Sequence, residues 1–256
     1  MHRVVFIAAG LAVVISGGTV LGYPSDPTIV TWQDDFEANA IGTAPNNMIG
    51  WTGYTGNFPA NWTVTDDGGN KVVATTNSGS TAYDYAWTAG DLGLAGASEQ
   101  ILHFQSRLFF AGTAGGSGQV KTAFTFVDNG GNHIGGWRLT GTGIIPLVWL
   151  ASHPSNGSGL VPHLGAEIPW PDQAYHDFDM HWFPATGQRD WYLDGVLVDS
   201  WTNSLMQGVD ATILEWDDGS AHANVIYYDD LKVGIPEPAT LVLLVVGALP
   251  MLRRRR

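Results

Sequence analysis

The chain contains no cysteine. Thiol catalysis, thiolate metal centres and disulfide stapling are therefore excluded. A domain of about 200 residues buries enough core to do without cross-links, so this lack is compatible with export. Basic residues are scarce: 11 Lys and Arg stand against 24 Asp and Glu, a formal net charge of −13. Arg3 and Arg253 to Arg256 account for five of the 11, so residues 23–235 hold six basic against 23 acidic residues, a formal −17. Nucleic acid and anionic lipid both require positive surface, so neither is expected as a partner. Glutamate is rarer still: only Glu37, Glu99, Glu167 and Glu215 occur between residues 23 and 235, beside 19 aspartates. Many of those aspartates adjoin Gly or Asn, where turn chemistry explains them.

Apolar runs of the roughly 20 residues that a stable membrane span needs are also missing. Two shorter runs occupy the ends. His2 and Arg3 precede an apolar stretch over 4–15, and small residues follow from Ser16 to Gly22. That order predicts a secretory signal peptide over 1–22, cut between Gly22 and Tyr23. At the other end, Pro236-Glu237-Pro238 leads into 14 uncharged residues, 239–252, and then four arginines. A short apolar helix with clustered arginines behind it holds the bulk of a chain outside and its last residues inside.

Between the two ends, helical periodicity is absent. Short β-branched and aromatic runs alternate with Gly, Asn, Asp and Pro clusters, which predicts an all-β domain over 23–235. Strands are expected at 28–36, 61–65, 71–76, 101–110, 119–128, 133–140, 144–151, 175–183, 188–193, 196–201 and 224–233. Asp66 to Asn70 reads as a hairpin loop, and Asp194-Gly195 as a tight hairpin turn. In 101–110 the even positions carry Leu102, Phe104, Ser106 and Leu108, whereas His103, Gln105 and Arg107 mark a wetter face. The Pro/Gly/Ser-rich stretch from 152 to 171 gives no clear path. No internal repeat and no linker interrupts the domain before Pro236.

The C-terminal order of Pro236-Glu237-Pro238, apolar run and arginine cluster resembles the PEP-CTERM sorting signal of Gram-negative-type bacteria that make exopolysaccharide. The resemblance covers 236–256. It implies that a membrane exosortase recognises Pro236, Glu237 and Pro238 and cuts near them. The domain would then pass from the secretion machinery to the cell surface or a polysaccharide matrix. Membrane would be touched only through the tail, before processing.

The domain itself resembles the concanavalin A-like, laminin-G-like jelly roll over residues 28–234. The likeness rests on Asp34-Asp35-Phe36-Glu37, on Tyr175-His176-Asp177-Phe178 with Trp191-Tyr192-Leu193-Asp194-Gly195-Val196, and on Tyr228-Asp229-Asp230-Leu231-Lys232-Val233. It implies a two-sheet antiparallel sandwich with the first and last strands adjacent. It also implies a structural calcium ion where those strands meet, with Asp229 in the matching position and Asp35 or Glu37 contributing. Hard carboxylate oxygens suit that ion.

Some enzymes of this fold carry three alternating acids on one strand, two of them flanking the scissile bond. Here Glu215-Trp216-Asp217 is the only Glu-x-Asp, and Gly219 and Ser220 supply no third acid. The histidines show no metal-binding spacing. His176 and His181 with Asp177 and Asp179 form the densest group, expected to be a solvated strand face. No Gly-x-Ser-x-Gly elbow supports a Ser-His-Asp triad. Trp51, Trp62, Trp87, Trp137, Trp149 and Trp170 are candidates to stack on sugar rings, although most aromatics of a sandwich fill its core. The expected function is a non-enzymatic exported surface or matrix protein; the alternatives are a lectin-like carbohydrate-binding module and a jelly-roll glycoside hydrolase.

Overall fold

The runs of β-branched and aromatic residues form strands, and the turn formers between them reverse the chain. The computed structural model describes residues 27–44, 47–54, 62–75, 84–110, 122–148, 163–218 and 225–236. The expected signal peptide with its Gly22–Tyr23 junction, and the tail from Glu237 onward, lie outside the described residues. Sixteen strands occur among those described. They are β1 (Ile29–Asp34), β2 (Trp51–Tyr54), β3 (Trp62–Asp67), β4 (Asn70–Thr75), β5 (Asp84–Thr88), β6 (Gln100–Phe110), β7 (Thr122–Val127) and β8 (His133–Leu139). There follow β9 (Gly143–Val148), β10 (His163–Leu164), β11 (Ile168–Pro169), β12 (His176–Phe183), β13 (Gln188–Leu193), β14 (Val196–Thr202), β15 (Ile213–Asp218) and β16 (Val225–Ile235).

The strands make two antiparallel sheets. The first runs β14-β13-β12-β6-β16-β4-β3 with β1 beside β16; the second runs β10-β9-β8-β7-β15-β5-β2 with β11 beside β9. As expected, the opening and closing strands pair, Ile29 opposite Ile235 and Asp34 opposite Leu231. β16 serves two neighbours on one edge: Ile226 to Tyr228 pair with β4, and Leu231 to Ile235 pair with β1. Asp229 and Asp230 sit at the hand-over, and Asp230 takes the left-handed region at φ 49°.

Alternation fills the space between the sheets. Leu102, Phe104 and Leu108 of β6 point inward with Phe178, Met180, Trp182 and Trp191, and meet Phe124, Phe126, Trp137 and Leu214 of the second sheet. Phe104 stacks on Phe178 at 5.0 Å between ring centroids and tilts against Phe124 at 4.8 Å. Polar groups that this core buries are bonded across it. Trp137 Nε1 donates to the Asp179 carbonyl at 3.0 Å, and Trp191 Nε1 returns to the Gly136 carbonyl at 2.7 Å. Arg189, fully buried, donates through Nε to the Ile134 carbonyl at 2.5 Å, its guanidinium over the Trp182 ring. Burial pushes that guanidinium down to about 9. A Cβ at Gly136 would lie 1.8 Å from the Phe124 carbonyl oxygen, so only glycine lets β7 and β8 approach this closely. At one open side, His163 of β10 stacks between Trp191 and Trp201 and meets Asp199 of β14 at 2.7 Å.

Three expectations change. The loop at 66–70 tightens to Gly68-Gly69, both at positive φ, because Asp66, Asp67 and Asn70 pair within the hairpin. β2, β5 and β15 were not anticipated, and the stretch to 171 carries the short strands β10 and β11. The face shared by Asp179 and His181 is not solvated: both residues are 0% exposed. His103 Nδ1 lies 2.7 Å from Asp179, and His181 Nδ1 lies 2.6 Å from Glu99. These polar side chains are tolerated there because each imidazole meets a carboxyl group across neighbouring strands or segments.

The cross-sheet bonds predict a stability effect. Trp191→Phe keeps an aromatic ring and removes the indole donor to Gly136. Urea unfolding should show a loss of about 1–3 kcal/mol; an unchanged midpoint would show that this bond contributes nothing.

Candidate functional site

The outward face of the second sheet carries a candidate site among the described residues. β15 lies between β5 and β7, with Glu215 opposite Trp87 on one side and Thr125 on the other. Leu214 packs in the core, so alternation sends Glu215 to the outer face. Its side chain is nonetheless buried, at 6% exposure, and Oε1 lies 3.5 Å from His133 Nε2. That separation is longer than a well-formed hydrogen bond. Burial alone pushes the Glu215 carboxyl up to about 7.

Next to Glu215 the same face opens into a pocket of ≈ 410 Å³, lined by Thr52, Trp87, Asp91, Asn129, Thr212 and Ile213 among others. Backbone bonds build its rim. Ala89 N–H donates to the Gly50 carbonyl, Leu92 N–H to Thr212 and Thr212 N–H to Val127, which folds the segment after β5 across the start of β15. Asp91 Oδ1 accepts from Gly93 N–H at 2.8 Å and turns the chain. Asp128 holds the β7–β8 turn by accepting from the N–H groups of Gly130 and Asn132, which fixes Asn129 at the mouth. Trp87 is half-buried, and Thr52, Asp91 and Asn129 are exposed. An aromatic ring beside short hydroxyl, amide and carboxylate groups presents one apolar surface and several hydrogen-bonding groups to a ligand.

The other tryptophans divide as their environments dictate. Trp51, Trp62 and Trp137 are core. Trp170 is partly buried and anchored by Nε1 to the Thr140 carbonyl at 2.7 Å. Trp149 lies outside the described residues. Trp87 could have been singled out only by knowing that β5 exists and which of its faces is outward.

The acids of the predicted calcium site are partly gathered. Asp34 and Asp229 are held above the usual carboxylate range, first by burial and then by neighbouring charges that include Asp35 in both cases. Asp34 accepts from Trp51 Nε1 at 2.7 Å, and Asp229 accepts from Asn70 Nδ2 at 2.6 Å. Asp35 Oδ1 accepts from Glu37 N–H. Glu37 is drawn toward β4, where its Oε1 accepts from Lys71 N–H at 2.7 Å. The structure thus brings Asp35 and Asp229 within electrostatic reach of each other. Among the described residues no three His, Asp or Glu side chains converge at metal-holding spacing. The cluster has the charge that a calcium ion would offset, without a converging set of side-chain ligands. Of the sorting residues, Pro236 ends the described chain, and Glu237 and Pro238 lie outside it.

Glu215 sets a pH dependence. A raised carboxyl favours the protonated folded protein, so its stabilising contribution is complete below about 4.5 and lost as pH rises through about 7. Glu215→Gln should therefore match the parent at about pH 4 and be more stable at about pH 8, by up to about 3 kcal/mol. Thermal unfolding across that range measures it. Parallel curves for the two proteins would contradict a carboxyl whose ionisation is resisted by burial.

No family model and no curated protein matches the sequence. Solved structures do. The endo-1,3-β-glucanase from Streptomyces sioyaensis aligns at 14% identity and TM-score 0.57, over 84% of this chain and 100% of that one. The carbohydrate esterase vb_24B_21 from the Shiga toxin-encoding bacteriophage phi24B aligns at 15% and 0.52, over 73% and 91%. The botulinum neurotoxin serotype G binding domain aligns at 12% and 0.50, over 86% of this chain and 51% of that one. At such identities the likeness concerns the fold alone: the chain is similar to jelly-roll sandwich proteins, consistent with a concanavalin A-like architecture.

Proposed function

We propose that the domain is an exported, non-enzymatic glycan-binding module that holds extracellular polysaccharide through the Trp87 pocket. The observation that carries this reading is the pocket itself: one half-buried indole flanked by Thr52, Asp91, Asn129 and Thr212 on a sheet face. Pyranose rings offer axial C–H faces to an aromatic and equatorial hydroxyls to such groups. The glucanase and the esterase that share this fold are carbohydrate-directed by their descriptions, which supports the same ligand class. Binding is preferred to cleavage on chemical grounds. Retaining glycoside hydrolysis pairs two carboxyls about 5 Å apart, and among the described side chains the ionisable group against Glu215 is the His133 imidazole.

Trp87→Ala should weaken binding to a responsive polysaccharide or oligosaccharide by at least about tenfold, with thermal stability retained. Isothermal calorimetry on a glycan panel reads this; equal affinities would remove the pocket from the account.

The address of the module is read from the chain ends. In this proposal the signal peptide exports it, and an exosortase recognises Pro236, Glu237 and Pro238 and releases it to the surface or matrix. Glu237→Ala should then leave a heavier, membrane-retained product in the native host, by mass spectrometry of fractionated cells. The same mature mass and location in both proteins would argue against recognition at this site.

A further inference from the structure

We infer that the Trp87 pocket selects glycans by charge, holding neutral or amino-sugar chains and turning away uronate chains. This rests on the glycan-binding reading above and adds the class of polymer. The argument comes from where the few cations of residues 23–235 are placed. Lys71, Arg107, Arg189 and Lys232 all belong to strands of the first sheet. Each is engaged there: Arg107 with Asp67, Lys232 with Asp230, Lys71 with the Glu37 carbonyl, and Arg189 inside the core. Lys121 lies outside the described residues. Arg138 is the one Lys or Arg on the second sheet among the described residues, and it is buried; of the histidines there, His133 faces Glu215 at 3.5 Å and His163 faces Asp199 at 2.7 Å. Its register partner is Ala123, which pairs with Asp217. Asp217 is four positions along β15 from Ile213 of the pocket, which at the rise of a strand is about 13 Å.

The pocket end of that face carries acid instead. Asp91 lines the pocket and is exposed, with Oδ1 accepting from Gly93 N–H. Glu215 is the cross-strand neighbour of Trp87. A polymer with a carboxylate on each residue would place like charges against Asp91 in a domain already at a formal −17. A protonated amine on a sugar would instead meet that carboxylate. A neutral chain would feel neither effect and would bind through stacking and hydrogen bonds alone.

The test uses the mature domain and three oligosaccharides of equal length: a neutral β-glucan, a glucosamine oligomer with free amines, and an oligogalacturonate. Calorimetry is run at mildly acidic pH, at low and high salt, on the parent, Trp87→Ala and Asp91→Asn. The neutral and amino chains should bind the parent at least about tenfold more tightly than the uronate chain at low salt. High salt and Asp91→Asn should both narrow that gap. Uronate binding as tight as neutral binding, and lost with Trp87→Ala, would overturn charge selection while leaving the glycan reading intact. A gap that survives both high salt and Asp91→Asn would show that shape discriminates, and would overturn it too. Failure of all three chains to bind, or binding indifferent to Trp87→Ala, would instead sink the glycan reading itself.

Discussion

Two packed sheets are held in a single alignment only if something directional crosses between them, since apolar burial by itself has no direction. Here N–H groups do so. Trp191 and Arg189 of β13 donate to carbonyls of β8, and Trp137 of β8 donates back to β12. These bonds lie in a dry interior, where an unmet donor or acceptor is costly. They lock β8 over the β12–β13 hairpin, and Gly136 lets β7 close up against β8. From β8 the pairing runs outward through β7 and β15 to β5. The position of Trp87 on the outer face is thus inherited, strand by strand, from an alignment fixed in the core.

Charge shapes the remainder. The first sheet takes most of the cations and uses them locally, and among the described residues carboxyls are held above their usual range in two places. One is the hand-over between β4 and β1 along β16, where Asp34 and Asp229 are held above the usual carboxylate range. The other is the outer face of the second sheet, where burial resists the ionisation of Glu215 and pushes its carboxyl up to about 7. Both arrangements cost stability as pH rises, and neither is required for a β-sandwich to fold. Such sites are where function is sought first.

Much of the frame was legible in the sequence. The alternation of 101–110 and the Asp194-Gly195 turn follow from period-two patterning and turn chemistry, and the pairing of the ends from the resemblance to the jelly roll. All three appear in the structure, except that His103, read as part of a wetter face, is buried. What escaped has physical reasons. β2 and β5 are four and five residues long, too short for alternation to rise above composition, and β15 ends in the acids Glu215, Asp217 and Asp218, which read as a turn. Asp179 and His181 read as a wet face because polar residues alternate there, yet cross-strand partners bury them. The site was half visible: Glu215 was noticed as part of a Glu-x-Asp pair, and Trp87 as one tryptophan of several. Their adjacency depends on the pairing of β5 with β15, which no local pattern encodes.

The claim at the centre is that a glycan lies against the indole of Trp87. A neutral β-linked oligosaccharide titrated into isotopically labelled protein, with the tryptophan side-chain N–H and methyl signals assigned, examines it directly. The account predicts that the Trp87 and Ile213 signals move together and saturably while that of the core residue Trp62 stays still. Movement centred instead on the methyls of Val72 and Val225, which pack together on the first sheet, would contradict it.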